Sequence, residues 1–92
     1  MILDFRCKHT AELWMKGSNR RHAAIAKSAL SKLQMLNRAA DLKDLRVPPG
    51  NRLEALRGDR AGQYSIRINQ QWRICFRWTH EGPSEVEIAD YH

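Results

Sequence analysis

Gln63-Tyr64-Ser65-Ile66-Arg67-Ile68-Asn69-Gln70-Gln71-Trp72-Arg73-Ile74-Cys75-Phe76-Arg77-Trp78-Thr79 is the stretch that decides the fold. Apolar and polar side chains alternate through it with the period of two that half-buried β-strands require. Tyr64, Ile66 and Ile68 fall on one face of the first run, with Ser65 and Arg67 on the other. In the second run Trp72, Ile74, Phe76 and Trp78 oppose Arg73, Cys75 and Arg77. Asn69-Gln70 supplies hairpin-turn chemistry between the runs. One face of this hairpin is aromatic and aliphatic and must be covered, whereas the other carries arginines.

Downstream, Gly82-Pro83 is expected to separate a last strand, with Val86 and Ile88 on one face and Glu85, Glu87 and Ala89 on the other. Upstream, Gly58-Asp59-Arg60-Ala61-Gly62 reads as turn chemistry and residues 51–56 as a short strand. Four strands in meander order predict an antiparallel sheet. Residues 20–40 contain no Gly or Pro, and Ile25, Ala29, Leu33, Leu36 and Ala40 recur at helical spacing. This predicts one long helix with an apolar stripe. Arg21, Lys27, Ser28, Lys32 and Arg38 decorate its other faces, and residues 41–45 add a further turn before Pro48-Pro49-Gly50. Residues 2–6 read as a short strand, and His9-Thr10 as the cap of a brief helix carrying Leu13 and Trp14 as far as Gly17. The expected fold is α+β: a compact sandwich in which N-terminal helices cover one face of an antiparallel sheet and the opposite, basic face stays exposed.

Ninety-two residues predict one domain, residues 1–92. A chain of this size buries only about 60–65% of its unfolded surface, which leaves little room for an internal cavity. Function is expected on a groove or a sheet face. Sixteen Lys+Arg against ten Asp+Glu give a net charge of +6, and eleven of the cations are arginine. Arginine matches phosphate with a planar, bidentate fork, so nucleic acid is the leading partner class. Cys7 and Cys75 form no CxxC pair, which argues against a disulfide framework and a zinc site. No metal or cofactor is expected. The N-terminus has no long apolar core and no stretch approaches the roughly 18 residues of a membrane span, so a reducing cytoplasm fits best.

RNA can be cut without a metal because its 2′-hydroxyl is a built-in nucleophile beside the phosphate. The protein must then supply a base, cations for the charge developing on phosphorus, and an acid for the departing 5′-oxygen. Asp90-Tyr91-His92 follows the last strand at once, at a position where chains ordinarily fray, and is therefore expected to serve a function. Asp90 and His92 are candidate acid–base groups, since imidazole titrates near 6.5. Tyr91 suits a phosphate oxygen or an unpaired base. Arg73, with Arg57, Arg67 and Arg77, would neutralise phosphate. Trp72, Trp78 and Tyr64 share parity with Ile74 and are expected in the core. His9, His22 and His80 lack partners at metal-ligand spacing and are expected at the surface.

The run Asn51-Arg52-Leu53-Glu54-Ala55-Leu56-Arg57-Gly58-Asp59-Arg60-Ala61-Gly62, then Ser65-Ile66-Arg67, Trp72-Arg73-Ile74 and the closing Asp90-Tyr91-His92, resembles the HigB branch of the RelE toxin superfamily. The resemblance covers nearly the whole chain. It implies a ribosome-dependent mRNA endonuclease that cuts transcripts in the A site and halts translation. It also implies a HigA-like antitoxin with a helix-turn-helix domain as partner, through which alone the toxin would meet operator DNA. Carried over by position, the family's acid, phenol and imidazole fall on Asp90, Tyr91 and His92, and its phosphate-binding arginine on Arg73. The cation before the Gly-Asp turn falls on Arg57, where lysine is common. Position 54 departs from the pattern: several HigB toxins have a catalytic histidine there, and this chain has Glu54. Glutamate can act as a base but cannot supply positive charge, which implies a toxin of lower potency in which His92 and Asp90 carry more of the proton transfer. Two other readings fit the same scaffold, a ParE-like gyrase poison and a non-catalytic RNA- or ribosome-binding module.

Overall fold

A computed structural model of the protein describes residues 1–90; Tyr91 and His92 lie outside the described residues. Helix α1, Lys8–Lys16, begins directly after Cys7, so His9 and Thr10 stand inside it rather than capping it. It stops where predicted, at Gly17, whose left-handed backbone (φ 79°) turns its N–H back to the Leu13 carbonyl. Helix α2, Ala26–Arg38, starts later than the apolar periodicity suggests. The Asn19 side chain takes the His22 N–H at 3.1 Å, and this side-chain bond holds a turn where a helix would otherwise continue. A 3₁₀ turn, Ala23–Ile25, leads into the helix. At the other end the Asp44 carboxylate accepts the N–H groups of Ala40 and Asp41, while Asp41 caps the 3₁₀ turn Leu42–Arg46. That reciprocal capping box ends α2 at Arg38 and leaves Ala40 exposed outside it.

The predicted strand at residues 51–56 shrinks to β1, Glu54–Ala55. Asn51 is the reason. Its side chain is fully buried, donating to the Leu45 and Val47 carbonyls and accepting from Lys32, which fixes it in a 3₁₀ turn, Pro49–Asn51, rather than a ladder. Arg52 leaves that turn in a left-handed conformation (φ 46°, ψ 56°).

Strands β2 (Tyr64–Arg67), β3 (Trp72–Thr79) and β4 (Gly82–Asp90) complete, among the described residues, a four-stranded antiparallel sheet in the order β1-β2-β3-β4. This is the predicted meander. In the β2–β3 turn the Asn69 carboxamide oxygen accepts the N–H groups of Gln71 and Trp72, both at 2.8 Å. Gly82-Pro83 lies within β4 instead of separating it, and the turn falls on His80-Glu81, held by the Thr79 hydroxyl. Proline is tolerated there because β4 is an edge strand. A Cβ on Gly82 would stand 2.5 Å from the Met1 carbonyl oxygen, so only glycine fits. Glu85 and Val86 together face Phe76, a bulge with Glu85 at φ 52°.

Residues 2–6, predicted as a strand, make one parallel bridge, Phe5 to Val86, because the bulge interrupts the ladder they would need. They still shield the outer edge of β4: Leu3 N–H donates to the Pro83 carbonyl, Val86 N–H to Asp4, and Arg6 N–H to Val86. The Thr10 hydroxyl takes the next N–H, that of Ile88, at 3.0 Å. Leu13 from α1 and Ala29, Leu33 and Leu36 from α2 close over Ile66, Ile74, Phe76, Val86 and Ile88, forming the core. Tyr64, Trp72 and Trp78 pack half-buried against it, as their parity predicts.

The other face is not the exposed basic surface expected from strand parity. Ser65 and Cys75 are fully buried and Arg73 retains 8% of its accessible surface. The segment before β2, with its 3₁₀ turn Gly58–Arg60, folds across it: Arg60 bonds Gln63 at 3.1 Å and Glu87 of β4 at 2.7 Å, above the buried Cys75. Burial pushes the Cys75 thiol above its ordinary range. Cys7 and Cys75 are both free, and among the described residues no helix is long and apolar enough to cross a membrane.

Candidate active site

Register determines which side chains share this second face. Arg67 pairs with Arg73 and Ser65 with Cys75, while Glu54 of β1 pairs with Ser65. Paired residues in an antiparallel ladder project to the same side, so Glu54, Ser65, Arg67 and Arg73 converge at one end of the sheet. They open into a groove of about 370 Å³ lined by Arg52, Glu54, Arg67, Asn69, Gln70 and Arg73. Three arginines against one glutamate make it cationic.

Arg73 is the fixed element. Its Nε donates to the Ser65 hydroxyl at 2.7 Å, and its Nη2 to the Arg52 carbonyl at 2.6 Å and, at 3.5 Å, to the Ser65 carbonyl. The left-handed turn at Arg52 is what aims that carbonyl at the guanidinium. Glu54 Oε1 lies 3.6 Å from Nη2. Because the Glu54 side chain is 55% exposed, water screens this pair and its contribution to stability is small. The hydrogen bonds to Ser65 and Arg52, not the ion pair, set the plane of the guanidinium. Replacing Ser65 by Ala is expected to leave a buried charged donor without its acceptor, costing about 1.5–3 kcal/mol. Thermal unfolding of the purified variant measures this, and an unchanged melting temperature would contradict it.

The other predicted residues disperse. Arg67 sits in the groove with Nε bonded to the Asn69 carbonyl at 3.0 Å. Arg77 lies four residues from Arg73, about 13 Å along the strand, and its Nε pairs with Glu85 at 2.9 Å. Arg57 is exposed before the Gly58 turn and does not line the groove. Asp90 is paired with Trp72, so its side chain leaves the sheet on the side opposite Arg73, at the strand end, and accepts from the Gln71 amide at 3.2 Å. His22, expected at the surface, is 3% exposed and meets Trp72 edge-on at 5.4 Å. Burial, reinforced by Arg21 and His9, holds its pKa below the ordinary imidazole value.

Arg52, Asn69 and Gln70 line the groove and buried Ser65 anchors Arg73 at its floor, although sequence reading gave none of them a site role. Ser65 was accessible to the same parity argument that grouped Arg67 with Arg73. Arg52 contributes a backbone carbonyl, for which side-chain chemistry gives no signal.

The family model for the RelE-like toxin of the type II toxin–antitoxin system HigB matches residues 3–92. The chain belongs to this HigB-like family. Toxin HigB-1 of Vibrio cholerae is 38% identical over 82 residues, which span 85% of this chain and 84% of that protein. Endoribonuclease HigB of Proteus vulgaris is 29% identical over 93 residues, covering 100% of both chains. Among solved structures, the YoeB-YefM complex from Staphylococcus aureus contains a chain that superposes with a TM-score of 0.62 at 17% identity, covering 100% of this chain and 95% of that one. That likeness extends the RelE-type fold, helices over a four-stranded antiparallel sheet, to this HigB-like toxin. As the toxin of a type II system, it has a cognate antitoxin.

Proposed function

We propose that this HigB-like toxin is an endoribonuclease that cuts mRNA on the translating ribosome by metal-independent attack of a 2′-hydroxyl on the adjacent phosphate. The observation that carries the reading is a buried arginine, Arg73, clamped at the floor of an open cationic groove beside a carboxylate, Glu54. A relative of full-length similarity bears the name Endoribonuclease HigB, which supports the same chemistry.

In this mechanism the 2′-oxygen loses its proton to a base as it attacks phosphorus. The 5′-oxygen of the next nucleotide leaves with a proton from an acid, giving a 2′,3′-cyclic phosphate and a free 5′-hydroxyl. Arg73 stabilises the negative charge gathering on the non-bridging oxygens, a task for a donor whose position is fixed before the reaction begins. Glu54 is the groove's base, His92 the acid, and Asp90 and Tyr91 assist them. Arg67 holds phosphate in the groove, and Arg57 and Arg77 hold it further along. One domain, residues 1–92, carries the whole activity in the cytoplasm. A HigA-like helix-turn-helix antitoxin neutralises it and brings it to operator DNA.

The test uses mRNA programmed on ribosomes, with ends mapped after incubation with the toxin. Cleavage within the A-site codon, lost when the attacking sugar is 2′-deoxy, is the expected result. Cleavage of the 2′-deoxy substrate would overturn the mechanism, and absence of any cut would overturn the function. A second expectation concerns position 54. Glutamate places a negative charge 3.6 Å from Arg73, where it offsets part of the cation's effect on phosphate. Glu54→His is therefore expected to raise cleavage several-fold, and a variant slower than wild type would show that the carboxylate itself is required.

A further inference from the structure

A second cationic cavity, of about 490 Å³, lies on the helix side of the sheet and is lined by Lys8, His9, Glu12, Asn19, Arg20 and Arg21. Asn19, 6% exposed, builds it. Its carboxamide nitrogen reaches Glu12 at 3.0 Å and His9 Nδ1 at 3.4 Å on α1, and its oxygen accepts the His22 N–H. The turn that carries Arg20 and Arg21 is thereby pinned against the first turn of α1. Lys8, Arg20 and Arg21 are exposed, and none has an acidic partner among the described residues. Glu12, the one acid of the lining, is engaged by Asn19 and, at 3.9 Å, by Lys16. In the turn that carries Arg20 and Arg21, His22 Nδ1 is buried without a hydrogen-bond partner among the described residues.

This cavity and the groove are connected through residues at one end of the sheet. From Arg73 and Arg67 the groove runs over Asn69 and Gln70. Gln71 follows, bonded to Asp90. Trp72 pairs with Asp90 and carries His22 on its edge, and His22 adjoins Arg21. A chain of neighbouring residues, Gln71, Trp72 and His22, therefore links one cationic site to the other around the sheet end, with Asp90 beside it.

We propose that Lys8, Arg20 and Arg21 form a second phosphate-binding site for the same single-stranded RNA that occupies the groove, so that the strand wraps the sheet end and is held on both sides of it. The inference rests on the reading of the toxin as acting on RNA. Continuity with the groove favours the substrate strand over ribosomal RNA. Two arginines and a lysine without acidic partners among the described residues suit a phosphodiester backbone, whose contacts add affinity without reading sequence.

The experiment compares wild type, Arg20→Ala/Arg21→Ala and Arg20→Lys/Arg21→Lys. Fluorescence anisotropy measures binding to labelled single-stranded RNAs of four and twelve nucleotides across a salt series. The alanine pair is expected to bind the longer RNA on the order of tenfold more weakly at low salt, with its salt slope reduced by about 1.4, the value for two lost phosphate contacts on a single strand. It should bind the shorter RNA as wild type does, and the lysine pair should retain the length dependence. Equal losses on both RNAs, or no length dependence in wild type, would overturn the proposal. Weakened binding to ribosomes lacking mRNA, with oligonucleotide binding unchanged, would assign the cavity to ribosomal RNA and overturn it as well. Wild-type cleavage on translating ribosomes is scored in parallel: its failure removes the proposed function, whereas normal cleavage with unchanged alanine-pair binding removes only this site.

Discussion

Arg73→Ala is expected to slow mRNA cleavage by about 10²–10³-fold while leaving ribosome binding within a few-fold of wild type. The expectation follows from where the guanidinium is anchored. Ser65 and the Arg52 carbonyl fix Nε and Nη2 before any substrate arrives, so no reorganisation is needed when charge develops on phosphorus. Arg73→Lys keeps the charge but loses the planar edge that engages Ser65 and Arg52 together. It should recover only part of the lost rate, because an ammonium on a flexible stem is not held at one position. Single-turnover cleavage at saturating toxin separates the chemical step from binding. An Arg73→Ala protein that is folded, binds ribosomes and cuts within threefold of wild type would remove Arg73 from the mechanism. Circular dichroism is needed beside the kinetics, since the residue is 8% exposed and its removal also strips hydrogen bonds from the sheet.

His92→Ala is expected to cost about 10²–10⁴-fold, the usual worth of a positioned proton donor. The departing 5′-oxygen is an alkoxide unless it receives a proton as the bond to phosphorus breaks, and arginine is a poor donor because it holds its protons at any relevant pH. Among the proposed residues, imidazole is the group suited to give a proton near neutrality. His92→Gln can hydrogen-bond but cannot transfer a proton, so it should be nearly as slow as the alanine variant. An RNA whose 5′-oxygen is replaced by sulfur offers a leaving group that needs no acid. On it the His92→Ala defect should largely disappear, while that of Arg73→Ala should persist. Undiminished cleavage of ordinary mRNA by His92→Ala would sink the acid assignment.

The two residues were unequally legible. Arg73 was marked by strand parity, which placed it with Arg67 on the face away from Ile74, and by its position in the run that resembles the HigB branch. What parity could not convey was burial. Alternation assigns a side chain to a face but is silent about what a distant loop lays over that face, and here Arg60 reaches across to Glu87 and closes it above Cys75. His92 was marked by chemistry and resemblance alone. Asp90 illustrates the reverse limit: its place directly before Tyr91 suggests a compact trio, yet pairing with Trp72 sends its side chain to the side opposite Arg73.

Two departures in the local elements share one cause. Residues 20–25 carry helical periodicity and residues 51–53 carry strand composition, but in both places an asparagine side chain captures the backbone's hydrogen-bonding partners. Asn19 holds the turn before α2 and Asn51 the turn before β1. Periodicity measures where apolar groups fall, whereas these turns are decided by single polar side chains whose partners are distant or buried.

Sequence by itself determined the meander of strands, the apolar face that the helices cover, the family, and the cationic character of the chain. These follow from patterns of period two and 3.6 and from net charge, which are local or additive properties. Tertiary structure alone decided that Arg73 is a clamped, buried group, that Glu54 stands beside it, that His22 lies against Trp72, and that neighbours at one sheet end link two cationic sites. Each depends on register and on loops crossing between elements, so no single segment contains the information.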